Sequence, residues 1–599
     1  MTEPVFILEQ VAIMKKHNFC FFILFLFVAC NIEKTTDIVL SQEIIFPADN
    51  AVFSENQIIN FISQGDFSNP TWISSLDGNL GSGKSIRCKL SIGKHLISIG
   101  DVENVPRITV NVKEESAVVG TIRRFVPTQG ENEILFSSGS YSGVCISTSA
   151  QGQVSTLTVK SVSESRSLMN IDEFDVLPQR TSVRCPKNLF SFPRKSLINN
   201  SRNAFCKYSI GDKRVFRVAN LQEGTNSTPH IVEAKLVCDT GDVYFWVESG
   251  KTITEHDLEI LQDALKLQII PGLKTFFGEW KDLDNDNHVS LLFTEKLNDY
   301  GNAIGFFNPS DLFPYETDVK EANYNPTSNE MDILYLGIPD DNRFAFSIKS
   351  ICATIAHELQ HLIHFSLKTF AKYENGDNNP PTEKLFVDEG LAHLAEALCG
   401  FGVSGGNIAF VEKFYLSPQN YSLVYEDIFG VDDNTGKRGA VAIFLNWLFE
   451  QKGGAIYENT TLVSSGGVDF LRTLVRNTEV GLEGIEVAYG KDIDILLQQW
   501  IEELLLIQSK HKPDYIPNYH PISKELVNFP LFAGEIKVSD SISCFINGFG
   551  NIKNKNISLL PYSFCFIDNL FFNVKENLIL KLDEENRRLS CSFICDTKL

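Results

Sequence analysis

The chain has 599 residues, 43% of them hydrophobic and 21% charged. That is too long for one hydrophobic core, since domains run about 100 to 200 residues, and the composition excludes wholesale disorder or a fibrous repeat. With 53 Lys and Arg against 75 Asp and Glu, the net charge is −22, which repels phosphate backbones and argues against nucleic acid as a partner.

The first 30 residues read as a leader. Met14-Lys15-Lys16 supplies a positive n-region, with residues 1 to 13 ahead of this expected start. Phe19 to Ala29 is an apolar run, too short for the roughly 20 residues that span a bilayer. It ends in Phe27-Val28-Ala29-Cys30, which resembles a bacterial lipobox with Phe where Leu is usual. That resemblance implies lipidation at Cys30, export to the bacterial cell envelope or beyond, and membrane attachment through the lipid. No later segment reads as a transmembrane helix. The 13 cysteines contain no C-x-x-C pair, so a cysteine zinc site is not expected.

Residues 31–115 read as all-β, with short apolar runs such as Lys94 to Ile99 between Gly, Asn, Asp and Ser turns. Trp72 to Gly78 and Leu90 to His95 resemble bacterial immunoglobulin-like modules. Gly78 to Ser85 matches the G-x-x-x-x-G-K-S phosphate loop letter for letter, but polar Ser74-Ser75 precedes it and alternating Ile86 to Ile92 follows it. A Gly-rich turn is therefore expected there, with no nucleotide. A second β region, 116–205, ends in the polar stretch Ser196 to Asn203.

The texture changes near residue 206. Strands are expected at Ile231 to Cys238 and Val243 to Glu248, then a helix opened by Thr254 with Asp257 three residues on. Asp282, Asp284 and Asp286 begin like an EF-hand loop, but position 6 is Asn287 rather than Gly and position 12 is Phe293 rather than Glu. A polar turn is the expectation, with a structural Ca2+ of another geometry as the alternative. Helical patterns cover Ser347 to Lys368, Lys384 to Leu398, Gly439 to Gln451 and Ile493 to Gln508, and short β runs return after about 515. The expected fold is multidomain: leader 1–30, immunoglobulin-like module 31–115, second β module and linker 116–205, an α+β domain 206–515, and a C-terminal β region 516–599.

The chemistry sits in His357-Glu358-Leu359-Gln360-His361, within a run free of Pro and Gly. Residues four apart share a helix face, so both imidazoles can reach one metal ion. Glu358 lies about 100° round the helix, placed to touch a water on the metal rather than the metal. A catalytic zinc also needs a third protein ligand and an open position. Glu389, His393 and Glu396 share a face of the next helix; Leu391, Leu394 and Leu398 share another and read as core. A solvated face is the bland reading of those polar residues. His364 could be a supporting or a surface group.

His357 to His361 with Glu389-Gly390-Leu391-Ala392 and Glu396 resembles the gluzincin clan of zinc metallopeptidases, and more closely the hyicolysin family. Asp282 to Phe293, Gly305-Phe306-Phe307 and Asn329 to Tyr335 echo that family too. The resemblance covers roughly 206 to 510. It implies a zincin-type fold, one catalytic Zn2+ on His357, His361 and Glu389, Glu358 as general base, and peptide or protein substrates, with endopeptidase action. His393 stands where the clan often has an acidic or small residue; His393 and Glu396 are candidates for support of the ligands, and His393 competes as a ligand. Tyr415, Tyr421, Tyr425 and Arg438 are all candidates for stabilising the oxyanion. A surface adhesin that binds proteins on a catalytically inactive domain of this type is the alternative.

Overall fold

The computed structural model describes residues 43–161 and 207–598 apart from short stretches, the longest of them 426–433 and 547–555. Cys30 and the linker at 196–203 lie outside the described residues. Among the described residues no helix is long and apolar enough to cross a membrane.

One compact unit ends at Val112 and leaves out Val52–Glu55, which belongs with Lys113–Leu599 to the second. The first unit is β throughout. Glu43–Phe46, Ile59–Gln64 and Ser85–Cys88 pair antiparallel, and Thr71–Ser74, Gly78–Ser82, Gly93–Ile99 and Arg107–Lys113 belong to another sheet. In Gly93–Ile99 the buried residues are His95, Ile97 and Ile99, the period of two that a half-buried strand requires. Phe61 of the first sheet meets Trp72 of the second with ring centroids 5.6 Å apart, both fully buried. The Gly78–Ser85 stretch is strand, turn and the start of another strand, turning at Gly83 with φ of 128°. A phosphate loop needs a helix N-terminus at that point.

In the second unit a six-stranded mixed sheet carries the central domain. Its strands are β1 (Lys213–Val218), β2 (His230–Asp239), β3 (Val243–Glu248), β4 (Val289–Phe293), β5 (Gly305–Phe307) and β6 (Ile333–Leu336), in the order β1-β2-β3-β4-β6-β5. β3, β4 and β6 run parallel, and β5 is an antiparallel edge. β4 and β6 are buried at every position, β6 as an unbroken apolar run and β4 with Ser290 as its one polar residue, whereas β2 alternates. Trp246, Tyr244 and Leu292 pack on one face; Phe245, Leu291 and Phe293 join the large helical core on the other.

That core holds α1 (Glu255–Ala264), α2 (Ile348–His364), α3 (Leu385–Leu398), α4 (Asn407–Leu416), α5 (Thr435–Gln451) and α6 (Ile493–Gln508). Thr254 caps α1 by accepting from the Asp257 amide at 3.1 Å, as the sequence indicates. α2 is shorter than its apolar pattern: Phe365–Phe370 continues as a π turn.

Strands from the second β module and the C-terminal β region interleave. One sheet runs Gly130–Leu135, Asn577–Leu582, Ser155–Ser161, Asn556–Leu559; the other runs Phe564–Phe572, Gly139–Ser147, Leu589–Lys598, Ile122–Phe125. Local patterning marks each strand but not its partner several hundred residues away, so the sequence presents as two regions what folds as one pair of sheets. The second of these sheets lies against α6: the Arg124 guanidinium grips both Glu502 oxygens at 2.8 Å, and Phe564 meets Trp500 edge-on at 5.4 Å.

Candidate metal centre

Ser347 starts α2 by accepting from the Ser350 amide, a cap contributing about 1 kcal/mol. Ser350 to His364 are all buried, because the sheet covers one side of α2 and α3 the other. α3 is buried from Phe386 to Leu398, so the polar face that bland patterning would leave in water is inside the protein. Two glycines permit the close approaches. A Cβ on Gly305 would stand 2.6 Å from Thr354 Cγ2, where β5 touches α2; one on Gly390 would stand 2.8 Å from Leu445 Cδ1, where α3 crosses α5.

The packing brings His357, His361 and Glu389 together. His357 Nε2 lies 3.3 Å from Glu389 Oε2, and His361 Nε2 lies 3.7 Å from Glu389 Oε1. Donors about 2.1 Å from one ion at tetrahedral angles stand about 3.4 Å apart, so these separations suit a shared zinc. The imidazole rings are 4.8 Å apart and nearly perpendicular. The three side chains are at most 3% exposed.

His393 does not face the two Nε2 atoms. It lies behind His357, where Glu396 Oε1 is 2.8 Å from His357 Nδ1 and 3.1 Å from His393 Nδ1. His357, His393 and Glu396 also fall within reach of one ion. Their separations are those of hydrogen bonds, and a carboxylate on Nδ1 is the partner that turns Nε2 of a ligand histidine outward. Asn407 fixes His393, with Oδ1 2.9 Å from Nδ1 and Nδ2 donating to the His393 carbonyl at 3.0 Å. Burial pushes His393 below the usual imidazole range.

Glu358 is 4% exposed, and its Oε2 accepts the Phe307 amide of β5 at 2.9 Å. Of the oxyanion candidates, Arg438 touches the centre: its guanidinium is 2.9 Å from Glu389 Oε2. The pocket is strongly anionic. Burial alone would lower His357, but Glu389, Glu396 and Glu358 outweigh it and hold the imidazole up at about 9 without a metal.

Sequence reasoning did not single out Asp388, Glu383 or Lys368. Asp388 Oδ2 lies 3.3 Å from His361 Nδ1, and its Oδ1 is 2.7 Å from His364 Nδ1. Its place beside Glu389, on a helix returning past α2, was the available signal. Glu383 is pushed up by burial, but His364 and Lys368 overcome this and hold it at about 2.

At the acidic loop the grouping differs from the sequence expectation. Asp282 and Asp284 meet Asp332, from the turn before β6, while Asp286 accepts the His288 amide at 2.8 Å. Asp332 accepts from Trp280 Nε1 at 3.1 Å and the Leu283 amide at 3.0 Å. Burial and the neighbouring Asp286 and Asp282 push Asp284 up to about 7. Nothing beyond the acidic cluster itself points to Ca2+ there.

Two imidazoles and a carboxylate on antiparallel helices, with a second carboxylate beside them, form an arrangement of the metallopeptidase type. One sequence relative agrees at the level of distant similarity. Over 233 residues the chain is 25% identical to the neutral metalloprotease ShpI of Staphylococcus hyicus, covering 35% of this chain and 48% of that protein. The chain thus spans about half the length of that curated relative. No family model matches. Among solved structures, yeast LTA4 hydrolase in complex with bestatin aligns with 71% of this chain and 65% of its own at 10% identity, with a TM-score of 0.23, too loose to define a common fold.

Proposed function

We propose that the protein hydrolyses peptide bonds as a zinc-dependent metallopeptidase, acting as an endopeptidase on protein substrates. His357, His361 and Glu389 hold the zinc and Glu358 is the general base. The observation that carries this reading is the convergence of both Nε2 atoms on the Glu389 carboxylate at 3.3 and 3.7 Å, with Glu358 alongside. When bound, zinc supplies a Lewis acid that polarises the scissile carbonyl and lowers the pKa of water towards about 7. The Glu358 carboxylate accepts a proton from the attacking water and passes it to the leaving amine nitrogen. The Phe307 amide holds Glu358 in place, and Arg438 clamps Glu389 while setting a positive charge beside the developing oxyanion. Residues 206–515 carry the catalysis. The leader places the protein in the cell envelope, anchored by lipid on Cys30.

The adhesin alternative gains no specific support, since a binding surface has no use for a buried base beside two imidazoles. The test is zinc stoichiometry of the chain from residue 31, paired with hydrolysis of denatured casein. One zinc per chain with cleavage supports the reading; no zinc overturns it.

A further inference from the structure

Behind His361 a line of buried polar side chains leads away from the centre. Asp388 lies between two imidazoles, 3.3 Å from His361 Nδ1 and 2.7 Å from His364 Nδ1. His364 Nε2 is 3.5 Å from Glu383 Oε2, and that oxygen pairs with Lys368 Nζ. The far end is pinned to the backbone: Glu383 Oε1 accepts the amides of Gly481 at 2.7 Å and Lys384 at 2.8 Å, and Lys368 donates to the Leu474 carbonyl at 3.3 Å. None of these side chains is more than 2% exposed.

Such a line is costly to bury. Apolar side chains of similar volume stabilise a core as well as a buried ion pair or better, so fold stability does not call for it. Its path suggests the use. His361, His364 and Lys368 follow i, i+3, i+7 spacing along α2 and its π continuation, and the line ends on the nitrogen that decides which way His361 presents its lone pair. With Nδ1–H donated to Asp388, Nε2 is the metal donor.

We propose that His364, Glu383 and Lys368 are positioning residues for the metal centre: they lock the Asp388 carboxylate against His361 Nδ1 and so fix His361 as an Nε2 donor. This inference rests on the metal site proposed above. Asp388 cannot rotate away, because its other oxygen is held by His364 at 2.7 Å, and His364 stands 3.5 Å from a glutamate tied to Lys368 and two amides. On the His357 side Glu396 is backed by His393 and Asn407; on the His361 side Asp388 is backed by His364, Glu383 and Lys368.

The experiment compares zinc affinity, by competition with a chromophoric chelator, in the wild-type chain from residue 31, His364→Phe and His364→Asn, alongside melting of each metal-free protein. Phe keeps volume but loses the donor to Asp388; Asn keeps a donor near the Nδ1 position. Loss of such support typically weakens metal binding about 10–100-fold, so His364→Phe is expected to fall by that factor and His364→Asn by less than about 3-fold. A purely structural role would change melting in both variants without separating their zinc affinities. A folded His364→Phe protein with wild-type affinity overturns the proposal. If His364→Phe does not fold, the charge-balanced Glu383→Gln/Lys368→Met variant decides: weaker zinc binding supports the brace, unchanged binding overturns it. Absence of zinc from the wild type would instead overturn the site reading, and this inference with it.

Discussion

Among the described residues, two of the groups of three side chains whose potential ligand atoms lie within 4.8 Å of one another stand in contrast: His357, His361 and Glu389, and Asp282, Asp284 and Asp332. By proximity they are equals, and by context they are opposites. The first stands on two packed helices, at most 3% exposed, with a carboxylate on the far nitrogen of each imidazole. The second is all carboxylate, two of its members lie on a partly exposed loop, and burial with the charges of Asp286 and Asp282 lifts Asp284 to about 7. Closeness alone therefore does not make a centre; opposite charges and rigid support behind the donors distinguish the helical group.

The comparison can be broken most sharply at Glu358. Glu358→Gln should keep one zinc and lose about 10² to 10⁴ of the hydrolysis rate, as removal of a general base does. Casein turnover near wild type would remove Glu358 from the chemistry.

Acidity gives the next effect. His357 is held up at about 9 in the metal-free fold against an unfolded value near 6.5. A raised folded pKa stabilises fully below 6.5, and that stability is lost as pH rises through 9. The metal-free protein should lose up to about 3 kcal/mol across this window, while zinc affinity rises over it with release of a proton. Melting curves of the metal-free chain that are flat or rising from pH 6.5 to 9 would contradict this.

Glu396→Gln probes the backing of His357. Zinc affinity should weaken about 10–100-fold, read by chelator competition. Equal affinity would make Glu396 a packing residue only.

The smallest effect belongs to the acidic loop. Asp284 has its pKa raised, so its charged form destabilises the fold as pH climbs through about 7. Asp284→Asn should therefore stabilise the protein at pH 8, by roughly 1–2 kcal/mol after allowance for partial exposure. Destabilisation instead, reversed in the wild type only by added Ca2+, would make the loop a metal site as well.

The parts of the centre set by local geometry were legible in the amino-acid order. Four-residue spacing in a helix without Pro or Gly put His357 and His361 on one face, and the Glu389-Gly390 pair marked where a second helix could return. The caps at Thr254 and Ser347, and the apolar run of β6, follow from the same short-range rules. His393 against Glu389 was not a local question: both share a face of α3, and only the crossing against α2 turns Glu389 towards the two Nε2 atoms and leaves His393 with Glu396.

What the sequence determined by itself was therefore the chemistry of one helix and the kind of residue that had to meet it. Tertiary structure decided the partners. Asp332 reaching the acidic loop, Asp388 and Glu383 bracing His361, Arg438 on Glu389, and the pairing of 122–161 with 556–598 all join positions whose separation carries no periodic signal. Helix and strand periods are set by the backbone within a few residues, whereas contacts between elements depend on how whole faces pack, and a single chain does not write that in its local spacing.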